Sequence, residues 1–244
     1  MRFITSLVFV VWFYLTMVIC GGLMLPLVAL GHDRYIWVAM RSWGKCTIFG
    51  LRWICGVHVK FEGLENLPPK GAALFASKHQ TTLDTVLPAQ FLDAPVFVVK
   101  KELIKMPVFG FYMKYGMIPV DREAHAKALK DMLRMSRTVI AKGRQIVIYP
   151  EGTRQEIGAP PEYKPGIAAL YKDLGLPVTP IALNTGLVWR PSGIMRNPGT
   201  VTIKILPAIP AGLPRDEFMA RLQSVIETES EALLPPHRRR TVGP

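Results

Sequence analysis

His79 and Asp84 stand five residues apart in the stretch Ser77-Lys78-His79-Gln80-Thr81-Thr82-Leu83-Asp84. On a regular helix that spacing leaves two side chains roughly 140° apart, so a plain helix cannot join them. Ala72 to Ala76 reads as a buried strand, and Thr81 and Thr82 are N-cap candidates for a helix through Leu83, Val86, Leu87 and Phe91. His79 then falls in the strand-to-helix loop, with Asp84 in the first helical turn facing back towards it. A carboxylate bonded to one ring nitrogen fixes the tautomer and leaves the other nitrogen free to take a proton from a hydroxyl. That is half of a catalytic triad, without its nucleophile. The same pair equally suits a satisfied loop histidine beside an ordinary first-turn acid.

Three further strand ends carry groups that could do chemistry. Val96 to Val99 reads as a buried strand that delivers Lys100 and Lys101, candidates for an anion site where a central strand meets a cleft. Gly116 to Val120 carries Asp121-Arg122 outward, and an arginine there can hold a phosphate through two parallel hydrogen bonds. The strand Gln145 to Tyr149 runs into Pro150-Glu151-Gly152-Thr153-Arg154. Here a glycine permits close approach of the backbone, between an acid, a hydroxyl and a guanidinium.

The remaining elements position these loops. Val57 to Phe61 alternates as a half-exposed strand, with His58 facing outward. Pro107 to Tyr115 is an aromatic, apolar turn and helix suited to lining a greasy pocket. Glu123 to Lys142 has the clearest soluble amphipathic pattern and is stopped by Gly143. A helix from Pro165-Gly166, strands over Leu176 to Leu183 and Val201 to Leu206, and a helix from about Pro214 complete the chain. Strands and helices alternate without repeats, which predicts an α/β domain with a largely parallel mixed sheet flanked by helices.

Ahead of it, Phe3 to Leu30 holds no charged residue. A helix of that length would be roughly 42 Å long against a hydrocarbon core of about 30 Å, with tilt or a bend near Pro26 taking up the excess. A signal peptide competes, but its apolar core is normally about half this length and no small-x-small cleavage site follows. A retained membrane anchor is the expectation. Arg34, Arg41, Lys45 and Arg52 follow it, and the positive-inside bias places the bulk of the chain in the cytoplasm. These four fall within about 40° of one helix face, beside Trp37, Trp43 and Trp53, the pattern of an amphipathic helix in a membrane interface. A core-packed helix with a solvated basic stripe has the same pattern. The expected division is residues 1–56 as anchor and amphipathic helix, 57–234 as the globular domain, and 235–244 as a basic tail.

Composition adds a constraint on partners. Thirty Lys and Arg against eighteen Asp and Glu give a net charge of +12 over 244 residues, which suits a phospholipid surface, nucleic acid or an acidic substrate. Half the residues are hydrophobic, high for a soluble protein and low for a multi-span transporter. The three cysteines, Cys20, Cys46 and Cys55, form no CxxC pair and have no histidine at ligand spacing, so neither a disulfide framework nor a metal site is expected.

Taken together and in order, these loops resemble the motif blocks of the glycerophospholipid acyltransferase family, in particular its bacterial 1-acylglycerol-3-phosphate acyltransferases. The His-x4-Asp block is similar to His79 to Asp84, the Lys-x-Glu-Leu element to Lys100 to Leu103, and the Gly-x4-Asp-Arg block to Gly116 to Arg122. Pro-Glu-Gly-Thr-Arg is similar to Pro150 to Arg154, and the apolar Pro-Val-x-Pro block to Pro177 to Pro180. The resemblance covers roughly Phe61 to Leu206. It departs at Lys78, where asparagine is often found, at Tyr149, where phenylalanine is common, around Pro119, and at Gln155, where serine is usual. It implies transfer of an acyl group from a thioester, on coenzyme A or acyl carrier protein as co-substrate, to the free sn-2 hydroxyl of lysophosphatidate, giving phosphatidate, without cofactor, metal or nucleic acid. It further implies a place at the cytoplasmic face of the bacterial inner membrane. His79 would be the general base oriented by Asp84. Lys100, Lys101, Arg122 and Arg154 would serve the phosphate, with Glu151, Gly152 and Thr153 shaping the acceptor site. Another lysolipid acceptor, such as a lyso-ornithine lipid, is an alternative, as are a lipid acyl hydrolase and a basic binding module.

Overall fold

The computed structural model describes residues 1–105, 109–121 and 125–239. The apolar N-terminal run forms one continuous helix, α1 (Arg2–Ala29), with Pro26 inside its last turn. A turn containing Gly31 leads into α2 (Arg34–Cys55), which lies against α1. Two tryptophans lock the pair, since Trp12 Nε1 donates to the carbonyl of Cys46 at 2.8 Å and Trp43 Nε1 to that of Phe13 at 3.0 Å. Gly50 gives Trp12 its seat; a Cβ at that position would collide with the indole.

Seven strands follow, β1 (Val57–Glu62), β2 (Ala73–Ser77), β3 (Pro95–Lys100), β4 (Ile118–Val120), β5 (Gln145–Ile148), β6 (Val178–Leu183) and β7 (Gly199–Ile205). They form one sheet in the order β1-β7-β6-β2-β5-β3-β4. Only the β6–β7 pairing is antiparallel; β6, β2, β5, β3 and β4 all run the same way. The helices α3 (Leu83–Val86), α4 (Phe109–Gly116), α5 (His125–Ala141), α6 (Gly166–Leu174) and α7 (Arg215–Ala232) complete the domain. This is the α/β mixed sheet that the alternating pattern predicts.

The two faces of the sheet carry separate cores, as the two-residue period of a strand requires. In β2, Phe75 points to the face covered by α1 and α2, with Phe9, Phe13 and Leu51, whereas Leu74 and Ala76 point to the face covered by α5, α6 and α7. Neighbouring parallel strands have a further consequence. The segments leaving the ends of β2, β5, β3 and β4, which bear His79, Glu151 to Arg154, Lys101 and Asp121, emerge from the same edge of the sheet. Ligand crevices of open α/β sheets lie outside that edge.

Two sequence expectations change. The helix expected to continue through Phe91 stops at Val86 and passes into a 3-10 turn over Leu87–Gln90, because Pro88 lacks the N–H a continuing helix needs. Arg41, expected on a face turned to lipid phosphates, turns instead into the domain. Its guanidinium donates to the carbonyls of Ala89 at 3.1 Å and Leu92 at 2.9 Å, so it fastens α2 to the segment after α3.

Candidate active site

The loop from Lys78 to Thr82 is held almost entirely through its backbone. Lys78 N–H continues the sheet by donating to Ile181 O at 3.0 Å, and His79 O accepts from Gln155 N–H at 2.8 Å. The next three amides all point at carboxylates: His79 N–H donates to Glu151 Oε2 at 2.7 Å, Gln80 N–H to Asp84 Oδ2 at 2.6 Å, and Thr81 N–H to the same oxygen at 2.7 Å. Buried backbone donors left unpaired are costly, and here the pairing fixes the loop's path as well.

Asp84 sits at the centre with a fully buried side chain. Its Oδ2 also lies 3.1 Å from His79 Nδ1, and its Oδ1 accepts from the hydroxyls of Thr185, at 2.5 Å, and Thr81, at 3.2 Å. Both oxygens of the carboxylate thus have their hydrogen-bond partners inside the protein. The bond to Nδ1 makes Nε2 the nitrogen available for chemistry. The imidazole stacks on Tyr149, with ring centroids 4.1 Å apart, and Tyr149 Oη donates to the carbonyl of Asp84 at 2.8 Å. Burial, with the charge of Asp84 adding to it, pushes the Tyr149 phenol well above its ordinary value, so it stays a donor.

His79 lines a cavity of about 450 Å³, within the range of small-molecule sites. Its walls are apolar and come from both parts of the chain: Phe13, Tyr14 and Met17 of α1, Met40 and Trp43 of α2, and Val99, Tyr112 and Met113 of the sheet domain. Tyr112 Oη donates to the carbonyl of Gly21, closing α4 onto α1. Thr82, Thr85 and Arg154 join His79 in the lining, and Thr85 Oγ1 donates to the Thr82 carbonyl at 2.7 Å. Arg154 is exposed and is steadied by Thr82 Oγ1 at 3.0 Å.

The other residues singled out in the sequence fall in different places. Lys100 and Lys101 are exposed at the end of β3, on the same sheet edge but off the cavity wall, and Lys101 pairs with Asp121 at 3.2 Å. Arg122 lies outside the described residues. Gly152 takes the left-handed conformation, φ +70°, in a turn closed by its N–H on the Tyr149 carbonyl at 2.9 Å, which frees the chain to lead Thr153 and Arg154 out to solvent. Glu151 has no exposed side-chain surface. Rather than facing the cavity, it accepts from the His79 amide and lies 2.6 Å from Lys78 Nζ.

Lys78, Tyr149, Thr185 and the walls from α1 and α2 are not among the site residues read from the sequence. Lys78 and Tyr149 could have been found as departures from the family pattern. Thr185, more than a hundred residues from Asp84 in the chain, leaves no local signal.

Residues 58–184 match the family model described as Acyltransferase. The chain is 33% identical over 215 residues to a 1-acyl-sn-glycerol-3-phosphate acyltransferase of Pseudomonas aeruginosa, covering 86% of this chain and 83% of that protein. A relative of the same description from Limnanthes douglasii is 32% identical over 160 residues, 64% of this chain and 56% of that one. Among solved structures, the 1-acyl-sn-glycerophosphate acyltransferase PlsC from Thermotoga maritima superposes with a TM-score of 0.78 at 23% identity, over 96% of this chain and 99% of that one.

Proposed function

The chain belongs to the acyltransferase family, and from that premise we propose that it moves an acyl group from a thioester to the sn-2 hydroxyl of lysophosphatidate, giving phosphatidate. The thioester is carried on coenzyme A or on an acyl carrier protein. The observation that carries this is an imidazole oriented by a buried carboxylate, set where an apolar cavity meets an arginine. An acyl chain fits the apolar part and a phosphate the cationic end.

The steps follow from the groups present. His79 Nε2 takes the proton of the acceptor hydroxyl as its oxygen attacks the thioester carbonyl. The C–S bond breaks as the ester C–O bond forms, and the thiolate leaves, taking back a proton from the imidazolium. Asp84, beside Nδ1, stabilises that imidazolium. No enzyme nucleophile is needed, and holding donor and acceptor in one water-poor cavity supplies much of the acceleration. Arg154 receives the acceptor phosphate, with Lys100 and Lys101 contributing from the same sheet edge and Arg122 as the further cation that the family resemblance implies. Gly152 and Thr153 shape the approach. Glu151 acts through the loop it holds rather than by touching the acceptor.

The helix α1 is long and apolar enough to cross a membrane, and an acceptor and product that live in a bilayer give it a purpose. We place the catalytic domain at the cytoplasmic face of the inner membrane, where both donors are available. The test is transfer of labelled acyl groups from acyl-CoA and from acyl carrier protein to lysophosphatidate, with wild type beside His79→Ala. Phosphatidate that forms with wild type and is lost in the variant supports the assignment and identifies the donor. No phosphatidate with either donor overturns it, and free acid released without acceptor identifies hydrolysis instead.

A further inference from the structure

Behind the active-site loop, on the side away from the cavity, lies a buried ionic cluster. Lys78 is the residue immediately before the base, and its side chain is 6% exposed. Its Nζ lies 2.6 Å from Glu151 Oε1 and donates to Glu227 Oε1 and Oε2 at 2.7 and 2.9 Å. Glu227, on α7, also accepts from Tyr163 Oη at 3.1 Å. Glu151 spends its second oxygen on the His79 amide, at 2.7 Å. One ammonium thus stands between two carboxylates, and the better buried of them grips the backbone of the catalytic residue. A buried carboxylate without a cation protonates, and a neutral carboxyl is a weaker acceptor.

We propose that Lys78 is a positioning residue for the reaction. By keeping Glu151 ionised it holds the His79 amide, and with it the imidazole, at the register in which Asp84 reaches Nδ1. Glu227, on α7, is the ammonium's second partner and is bonded to Lys78 and Tyr163. The three amides of residues 79 to 81 then divide between two carboxylates, and only Glu151 controls the one belonging to the base.

The proposal rests on the acyl-transfer assignment above, so wild-type turnover is established first. Lys78→Met keeps an unbranched stem and removes the ammonium, while Glu227→Gln cuts the cluster on the far side and leaves the Lys78–Glu151 pair intact. Both remove part of a buried ion pair and both are expected to lower the thermal midpoint. Lys78→Met is expected to reduce kcat 10- to 100-fold, with KM for donor and acceptor within threefold. Glu227→Gln is expected to keep kcat within threefold. Glu151→Gln gives the same kcat loss as Lys78→Met, and the double variant is no worse than either single one. A loss of kcat that is equal in Lys78→Met and Glu227→Gln and follows the midpoint reduces the cluster to a stabilising role and overturns the proposal. So does kcat unchanged in Lys78→Met. If Lys78→Met does not fold, Glu151→Gln decides, since full kcat there removes the link between the acid and the base. Wild type without turnover instead overturns the function, a distinguishable result.

Discussion

Asp84→Asn is the most direct test of how His79 is made into a base. The substitution keeps volume and can keep the fold. Its carbonyl oxygen can take the place of Oδ2 before the amides of Gln80 and Thr81, and its NH2 would face the hydroxyls of Thr81 and Thr185, which can rotate to accept. Weakening several charge-assisted bonds to neutral ones costs roughly 1 kcal/mol each, offset in part by no longer burying a charge, so a net loss of about 1–3 kcal/mol of stability is expected. The catalytic loss is larger. Asp84 Oδ2 lies 3.1 Å from Nδ1, and at an effective dielectric of about 20 a carboxylate stabilises an imidazolium some 3.5 Å away by roughly 4–5 kcal/mol. That corresponds to about 10³-fold in rate, and the amide dipole of asparagine recovers part of it. We expect kcat to fall about 10²- to 10³-fold, with KM for both substrates changed by less than tenfold. The assay is initial rate of phosphatidate formation with both substrates saturating, beside thermal unfolding of the same preparation. A cooperatively unfolding Asp84→Asn protein with kcat within tenfold of wild type would refute the view that His79 works through the charge of Asp84.

Four other substitutions probe separate parts of the site. Tyr149→Phe removes one bond to a buried carbonyl but keeps the ring on which His79 stacks; it is expected to cost about 1 kcal/mol, a few degrees in the thermal midpoint, with kcat within threefold. Arg154→Ala is expected to reduce kcat/KM for lysophosphatidate roughly tenfold or more through KM, the scale of one charge-assisted bond, and an unchanged kcat/KM would remove Arg154 from the phosphate site. Val99→Trp fills part of the cavity beside His79, so turnover with long acyl donors should fall more than with short ones when both are compared at saturation. Burial raises the Glu151 carboxyl, against the opposing pull of Lys78. The native state then holds that proton more tightly than the unfolded chain, so its contribution to stability is complete below the unfolded value of about 4.3 and is lost as pH rises through the folded one. Urea unfolding across that range should show Glu151→Gln gaining on wild type as pH rises.

Much of the frame was legible because local rules decide it. Strand, loop and N-cap chemistry around Thr81 and Thr82 predict that Asp84 faces back to His79, and it does. The parallel sheet follows from the alternation of elements, and once strands are parallel the motif loops must share an edge. What escaped depends on groups distant in sequence. The family resemblance assigns Glu151 to the acceptor site, but its side chain meets Lys78 on an adjacent strand end, which Glu227 on α7 also holds. The basic stripe of α2 suits a membrane interface or open solvent, yet Arg41 meets carbonyls that no helical projection can foresee.

The least legible feature is that α1 and α2 are walls of the site. Hydropathy marks α1 as fit for lipid, and that is true of the face bearing Leu7, Val11, Leu15 and Val18, which is exposed. The opposite face is different. Phe9 and Phe13 pack edge-on against Trp189, the Ser6 hydroxyl accepts from the Arg196 amide at 2.9 Å, and Met17 lines the cavity. Tyr14 belongs to both sides, lining the cavity while 55% exposed. Covering an exposed Leu, Val or Phe side chain contributes about 1.5–3 kcal/mol, so a row of them favours an apolar medium along the outer face of α1 throughout. The helix that is long and apolar enough to cross a membrane is thus also a wall of the cavity beside His79, because its two faces meet different neighbours.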